Sequence, residues 1–310
     1  MAETDRPILV TGASGFVGRR VVAHLREAGR RVRALVRPTS ARRMDDTAGL
    51  EIADGDLRRA EAVTAAARGC GACIHLVGIL RERGEATFQA VHVEGTEHVV
   101  AACLEAGVRR LVHMSALGVG RDAKTPYFRT KAEAETAVRN SGLDWTILRP
   151  SVIHGPQGDF MIQMARMVAR PGPVPLVGRG VQVIQPVWVE DVAGVAAGAL
   201  ARGATIGRTY AVGGPDVLTL RAFYRTLARV LLGRQKMLLP VPRFAVRTGV
   251  WLAARVLANP PVTPDELRML EAARPCDTGP VQNDFDRQPA PFEDTLKAYA
   301  DELKAAAGIA

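Results

Sequence analysis

Tyr127 and Lys131 are the two residues best suited to chemistry here, because Y-x-x-x-K within a helical pattern puts both side chains on one face. Tyrosine is a poor acid or base near neutral pH, its unperturbed pKa being about 10, and a neighbouring ammonium favours its phenolate. The pair suits proton transfer at a substrate oxygen, with Lys131 beside any bound ribose. In a chain with 4 Tyr and 5 Lys the spacing is expected by chance only about 0.06 times. The competing reading is a surface helix with a tyrosine on its apolar side and an exposed lysine.

A second constellation suits a phosphate. Thr11-Gly12-Ala13-Ser14-Gly15-Phe16-Val17-Gly18 joins the apolar run Ile8-Leu9-Val10 to a helical pattern that continues through Leu25. Glycines at a strand-to-helix turn let the backbone approach a pyrophosphate, and the helix N-terminus faces its charge. The next apolar run ends Val36-Arg37, with Arg42 and Arg43 close behind and no acid until Asp45. A carboxylate there would favour NAD(H), whereas a guanidinium pairs with a 2′-phosphate, so the reading is NADP(H) in preference to NAD(H). Alternatively, Arg37 is one more solvated cation in a chain with 36 Arg.

The elements that must position these groups alternate. Strands are expected near Ile8-Thr11, Val32-Val36, Leu50-Ala53, Ala72-Val77, Arg110-Ser115 and Asp144-Leu148, with helices near Gly15-Ala28, Arg58-Ala67, Ala86-Glu105 and Thr125-Ser141. That pattern is α/β, a doubly wound parallel Rossmann-type sheet, over residues 1–150. After Arg149-Pro150 the character changes, and 151–310 is expected to form a smaller α+β lobe for substrate or partner. It holds a strand at Val181-Val187, helices at Glu190-Ala201, Leu220-Leu232 and Phe244-Ala258, and a capped helix from Thr263-Pro264-Asp265-Glu266 after Asn259-Pro260-Pro261.

Composition narrows the function classes. The 310 residues are 47% hydrophobic and 24% charged, with no apolar run long enough to span a bilayer and no apolar leader before Ile8. The expected location is cytoplasmic. A formal charge of +9 suits an anionic partner, but no basic and aromatic cluster suggests nucleic acid. Cys70 and Cys73 form C-x-x-C at the entrance to a strand rather than at a helix N-terminus, which reads as small core residues rather than a redox pair. His75 and His113 read as core histidines, His92 and His98 fall on the helix after the fourth strand, and no spacing suggests a metal. Glu190-Asp191 reads as a favourable helix start.

The glycine loop, Gly55-Asp56-Leu57 after the third strand and Tyr127-x-x-x-Lys131 together resemble the extended and atypical short-chain dehydrogenases/reductases, whose members include NAD-dependent epimerases and dehydratases. Leu148-Arg149-Pro150-Ser151-Val152-Ile153-His154-Gly155 and Pro186 to Ala193 resemble later signatures of that group, so the likeness covers about residues 7 to 215. His75-Leu76-Val77-Gly78-Ile79 and Ser115-Ala116-Leu117-Gly118 are most similar to the branch containing the dehydrogenase-like accessory subunit of respiratory complex I. The resemblance implies that Asp56-Leu57 lies by the adenine and Leu76, Val77 and Gly78 pass beneath the adenosine ribose. It makes Tyr127 the general acid/base and Lys131 the ribose anchor, and it puts Pro150, Val152 and Ile153 by the carboxamide. Ser115 would hold the substrate oxygen, unless the register puts Ala116 in that slot.

Two functions follow as expectations. One is an NADP(H)-dependent oxidoreductase acting on a carbonyl, alcohol or nucleotide sugar bound between Gly118-Tyr127 and a lobe holding Phe160, Met164 and Trp188. The other is a non-catalytic NADP(H)-binding accessory or assembly protein of a respiratory complex. Arg229 to Ala258 adds a basic amphipathic helix, with Phe244, Val250, Trp251, Ala254 and Leu257 on one face and Arg243, Arg247 and Arg255 near one another. It suits peripheral contact with an anionic membrane or a partner, or packing into its own lobe.

Overall fold

A computed structural model describes residues 6–38, 50–120, 125–257 and 262–309. Arg42, Arg43, Asp45 and Asn259 to Pro261 lie outside the described residues. The chain forms two compact units, the first from 1–150, 189–212 and 279–287 and the second from 151–188, 213–278 and 288–310.

In the first unit, β1 (Ile8–Thr11), β2 (Val32–Val36), β3 (Leu50–Asp54), β4 (Ala72–His75), β5 (Arg110–Met114), β6 (Asp144–Pro150) and, after a second-unit segment with four short strands, β11 (Arg208–Val212) make one sheet. Its order is β11-β6-β5-β4-β1-β2-β3, parallel throughout. Ile8, Leu9 and Val10 are fully buried, as expected of a central parallel strand covered on both faces. One face carries α1 (Phe16–Glu27), packed on α6 (Val189–Ala201). The other carries α2 (Ala60–Ala67), α3 (Gly95–Glu105) and α4 (Pro126–Arg139), over a core that includes Leu9, Val63, Val99, Leu111 and Ile147. Glu190, expected as a helix-start acid, opens α6 and also pairs with Arg20 and His24 of α1.

The second unit packs α5 (Asp159–Ala169), α7 (Leu220–Leu232), α11 (Phe292–Ala298) and α12 (Ala300–Ala307) around Met161, Phe223, Leu227, Phe292 and Leu296. Three two-stranded ribbons join it. They are β7 (Ile153–His154) with β10 (Val187–Trp188), β9 (Val183–Ile184) with β12 (Leu218–Thr219), and β8 (Val174–Val177) with β13 (Leu238–Val241). α8 (Arg243–Val256) and α9 (Pro264–Ala272) lie in this unit, and α10 (Gly279–Phe285) in the first.

Three expectations need correction, and one strand was not foreseen. Val181-Val187 is two strands, because Pro186 has no N–H to donate and the buried Gln185 side chain instead bonds Gly214 O and Cys276 N. The helix expected from Ala86 begins three residues later, where Thr87 Oγ1 caps the Ala90 N–H, and its first turn, Gln89–Glu94, is π-helical. Leu238–Val241 is a strand despite Pro240, which is tolerated because β13 pairs on one side only. β4 stops at His75, and Leu76 turns its N–H to Thr11 O. Thr263 forms the expected capping box with Glu266.

Candidate dinucleotide and proton-transfer site

Strand order reverses between β1 and β4, the place where open α/β sheets bind ligands outside their carboxyl ends. The Gly12 to Gly18 turn follows β1 and Leu76-Val77-Gly78 follows β4, so both segments meet at that switch point. Gly12 has φ +76°, and the Gly15 N–H donates to its carbonyl at 3.0 Å. A Cβ at Gly18 would stand 2.0 Å from Gly12 O, and one at Gly12 3.2 Å from Val77. Such a turn admits backbone and excludes side chains, as a pyrophosphate cradle requires. Gly15 caps α1 with no side-chain bond, so no side chain competes for the helix's first N–H groups. Ser14, Phe16 and Val17 are half-buried around this turn. These residues fit a dinucleotide.

At the adenosine end, Arg37 is exposed directly after β2 and its charge bears on Asp56. The Arg58 guanidinium grips both Asp56 oxygens at 2.9 and 3.0 Å and holds the carboxyl below its usual range. Leu57 is buried beneath α3, where a Cβ on Gly95 would lie 2.6 Å from it, so its side chain serves the core. Sequence reading missed Asp54, which the register sets opposite Val36, the residue before Arg37.

Tyr127 and Lys131 are both buried on the first two turns of α4, a helix started by Thr125, whose Oγ1 accepts the Phe128 N–H, and by Pro126. Phe88, His92 and Phe128 wall the Tyr127 ring, with centroids 5.9, 5.4 and 5.3 Å away. Lys131 Nζ donates to Met114 O at the end of β5 at 3.0 Å, and a Cβ on Gly78 would lie 3.0 Å from that nitrogen. Burial pushes the Tyr127 phenol up to about 12. Burial also lowers Lys131 to about 8, with Glu135 opposing the shift. At pH 7 the pair is therefore a neutral phenol and an ammonium.

Ser115 does not present a free hydroxyl, because its Oγ donates to Glu135 Oε1 at 2.5 Å. Glu135 is fully buried, one turn beyond Lys131, and also accepts from Arg149 at 2.6 and 2.7 Å and from Arg139 at 2.7 Å. Burial alone would raise this carboxyl, and the bonds from Arg149 and Ser115 lower it instead. The i+4 step from Lys131 to Glu135 was the available signal for this carboxylate, which sequence reading passed over.

His92 is also part of this wall rather than an ordinary helix residue. Its Nε2 accepts the Ile79 N–H at 3.1 Å, which leaves the proton on Nδ1 for Thr130 Oγ1 at 3.0 Å. His75 bridges Thr11 and Thr96 from within the sheet. Burial, then the Lys131 charge, lowers both histidines to about 3. Among the described residues, no group of three or more His, Cys, Asp or Glu side chains is placed to share a metal ion. Cys70 and Cys73 are free thiols in the core, with burial raising Cys70 to about 11.

Pro150 closes β6 in the first unit and its carbonyl accepts the Leu117 N–H, whereas Val152 and Ile153 belong to the second unit. Met164 is core there, with the Tyr224 hydroxyl 3.2 Å from its sulfur. Phe160 packs on Phe223 and Trp188 on Tyr299.

Fold and turn define a Rossmann-type dinucleotide-binding protein with the tyrosine–lysine pair of short-chain dehydrogenases/reductases. A family model described as NAD(P)H-binding matches residues 12–169, and the chain belongs to that family. It is 31% identical over 297 residues to "NADH dehydrogenase [ubiquinone] 1 alpha subcomplex subunit 9, mitochondrial" of Rattus norvegicus, covering 92% of this chain and 77% of that one. The protein of the same name from Arabidopsis thaliana is 31% identical over 217 residues, 68% of this chain and 54% of its own, so the chain matches about half of it. A "(4-alkanoyl-5-oxo-2,5-dihydrofuran-3-yl)methyl phosphate reductase" of Streptomyces griseus is 36% identical over 228 residues, 72% of this chain and 73% of that protein. Among solved structures, gox2253 superposes with a TM-score of 0.78 at 27% identity, covering 98% of this chain and 100% of that one. DesIV, a dTDP-glucose 4,6-dehydratase from Streptomyces venezuelae with NAD and TYD bound, superposes at 0.73 with 22% identity over 97% and 98%, which shows the fold alone. The chain is NAD(P)-binding and oxidoreductase-like. Among the described residues no helix is long and apolar enough to cross a membrane.

Proposed function

We propose that the chain is an NADPH-dependent reductase of a carbonyl borne on an alkyl chain. The observation that carries this reading is the buried i,i+4 pair on α4, a tyrosine walled by Phe88, His92 and Phe128 and a lysine whose ammonium donates to Met114 O. A bound reduced nicotinamide would supply the hydride. Tyr127 would bind the substrate oxygen and give it a proton, and the phenolate left behind would be stabilised by the Lys131 charge. Lys131 spends one donor on Met114 O and has two more for ribose hydroxyls. Arg37 supports the choice of NADPH. The reductase named above and a "2-alkyl-3-oxoalkanoate reductase" of Stenotrophomonas maltophilia, 29% identical over 288 residues, support an alkyl-bearing oxo substrate over a nucleotide sugar.

A second reading, an NADP(H)-binding accessory protein of a respiratory complex at a membrane, is favoured by the engagement of the Ser115 hydroxyl with Glu135 and by the rat relative. NADPH consumption with 2-alkyl-3-oxoalkanoates separates the two. The reductase turns over, and Tyr127→Phe lowers kcat by about 10²- to 10⁴-fold while leaving NADPH affinity within about threefold. Turnover unchanged in that variant overturns the role of Tyr127. A rise in Tm with NADPH and no turnover on any oxo substrate supports the accessory reading.

A further inference from the structure

The net charge of this protein is concentrated in one place. From Val217 to Pro264 there are eight Arg or Lys and no Asp or Glu, whereas the other 262 residues carry 33 cations against 32 acids. The same stretch is apolar on its surface. Of the thirteen exposed large hydrophobic side chains among the described residues, seven lie between 237 and 257, and the most open are Phe244 and Val256 at 74% and Met237 at 72%.

α8 organises them. No residue of it is buried, and its half-buried side, Val246, Val250 and Ala253, faces away from the outward stripe Phe244, Arg247, Trp251 and Arg255. Val250 therefore leaves the face on which the sequence grouped it with Phe244 and Trp251. Arg255 lies 3.7 Å over the Trp251 ring, which lets a cation ride on an aromatic rather than avoid it. Basic residues continue onto the start of α7 and the turn after β8, where Arg221 donates to Arg179 O and a Cβ on Gly178 would lie 3.6 Å from Arg243. Among the described residues, Arg247 is the cation of the outward stripe that pairs with an acid, Glu271.

We propose that α8 and the strand before it form a docking surface for an anionic phospholipid bilayer. At about 1.5 Å per residue the helix presents roughly 21 Å of surface, along which Phe244 and Trp251 can enter the headgroup boundary while Arg243 and Arg255 meet lipid phosphates. The absence of acids over 48 residues selects a uniformly anionic plane over a protein groove of mixed charge. The surface is independent of the Tyr127 site, so the proposal stands whether or not the reductase reading does.

The test is flotation of the full chain with vesicles of phosphatidylcholine alone or with about 30% phosphatidylglycerol, with Trp251 fluorescence read in parallel. Anionic vesicles are expected to bind at least about tenfold more tightly than neutral ones, with a blue shift that Trp251→Phe removes and loss of binding at high salt. Arg243→Glu/Arg255→Glu and Phe244→Ser/Trp251→Ser should each weaken binding at least about tenfold with an unchanged melting transition. Any of three results overturns the proposal. These are a natively melting protein that stays soluble with anionic vesicles at low salt, equal binding to both vesicle types that ignores the variants, and a concentration-dependent dimer that buries Trp251 and binds no vesicles.

Discussion

Lys131 carries the most consequential charge among the individual residues. Its ammonium is buried against Gly78 and Met114 O, and burial brings it to about 8, so its proton is lost within an accessible pH range. Below pH 8 the cation is present to attract ribose and phosphate, and above it the attraction fades. NADPH affinity of the free protein is therefore expected to fall as pH rises through about 8, and Lys131→Arg, which stays protonated, should flatten that profile. A titration of Kd against pH from 6 to 10 checks it. An affinity that stays level in the unaltered protein would detach Lys131 from the cofactor. Glu135 belongs to the same scale, since four hydrogen bonds from three residues fix it where it opposes part of the burial shift on Lys131.

The turn between β1 and α1 sets two expectations at the scale of elements. Alanine is a better helix former than glycine by roughly 1 kcal/mol, so Gly18→Ala would stabilise α1 if space allowed. Space does not allow it, because the new Cβ would stand 2.0 Å from the Gly12 carbonyl, backbone against backbone. The clash outweighs the propensity, and Gly18→Ala is expected to lower stability by about 1–3 kcal/mol and to weaken NADPH binding with it. Chemical denaturation and a cofactor titration measure both. The turn after β2 carries the second expectation, that NADPH binds more tightly than NADH and that Arg37→Asp erases or reverses the preference. Equal affinities in the unaltered protein would refute it, with Asp54 opposite Val36 as the nearby opposing charge.

Across the whole molecule, buried histidines couple folding to pH. His75 and His92 in the first unit and His154 in the second are each lowered to about 3, with burial the main cause. The folded protein keeps them neutral, while the unfolded chain takes up their protons below about 6.5. Stability is thus lost as pH falls from about 6.5 toward 3, by ~2 kcal/mol for each histidine at pH 5. His154 sits among Trp188, Phe292 and Tyr299, and its Nε2 has no partner among the described residues. His154→Phe should make the fall of Tm between pH 6.5 and 4 shallower, even though it costs the bond to Tyr299. A slope unchanged from that of the unaltered protein would show that His154 protonates freely in the fold.

What the sequence by itself determined was whatever local periodicity and backbone chemistry decide. It gave the alternation of strand and helix, the glycine turn whose φ and close approaches leave no room for side chains, the i,i+4 pair on α4 and the capping box at Thr263. Each is settled within a few residues of itself. The tertiary structure decided what depends on distant partners. It turned Ser115 toward Glu135, which Arg149 also holds, rather than toward an open slot, drew His92 into the wall around Tyr127, and sank Leu57 and Met164 into cores. It also split Val181-Val187 into strands that answer to two different neighbours and returned 189–212 and 279–287 to the first unit. Hydrogen bonds and ion pairs between buried groups and the pairing of strand edges depend on partners tens of residues or more away along the chain, which local spacing does not encode.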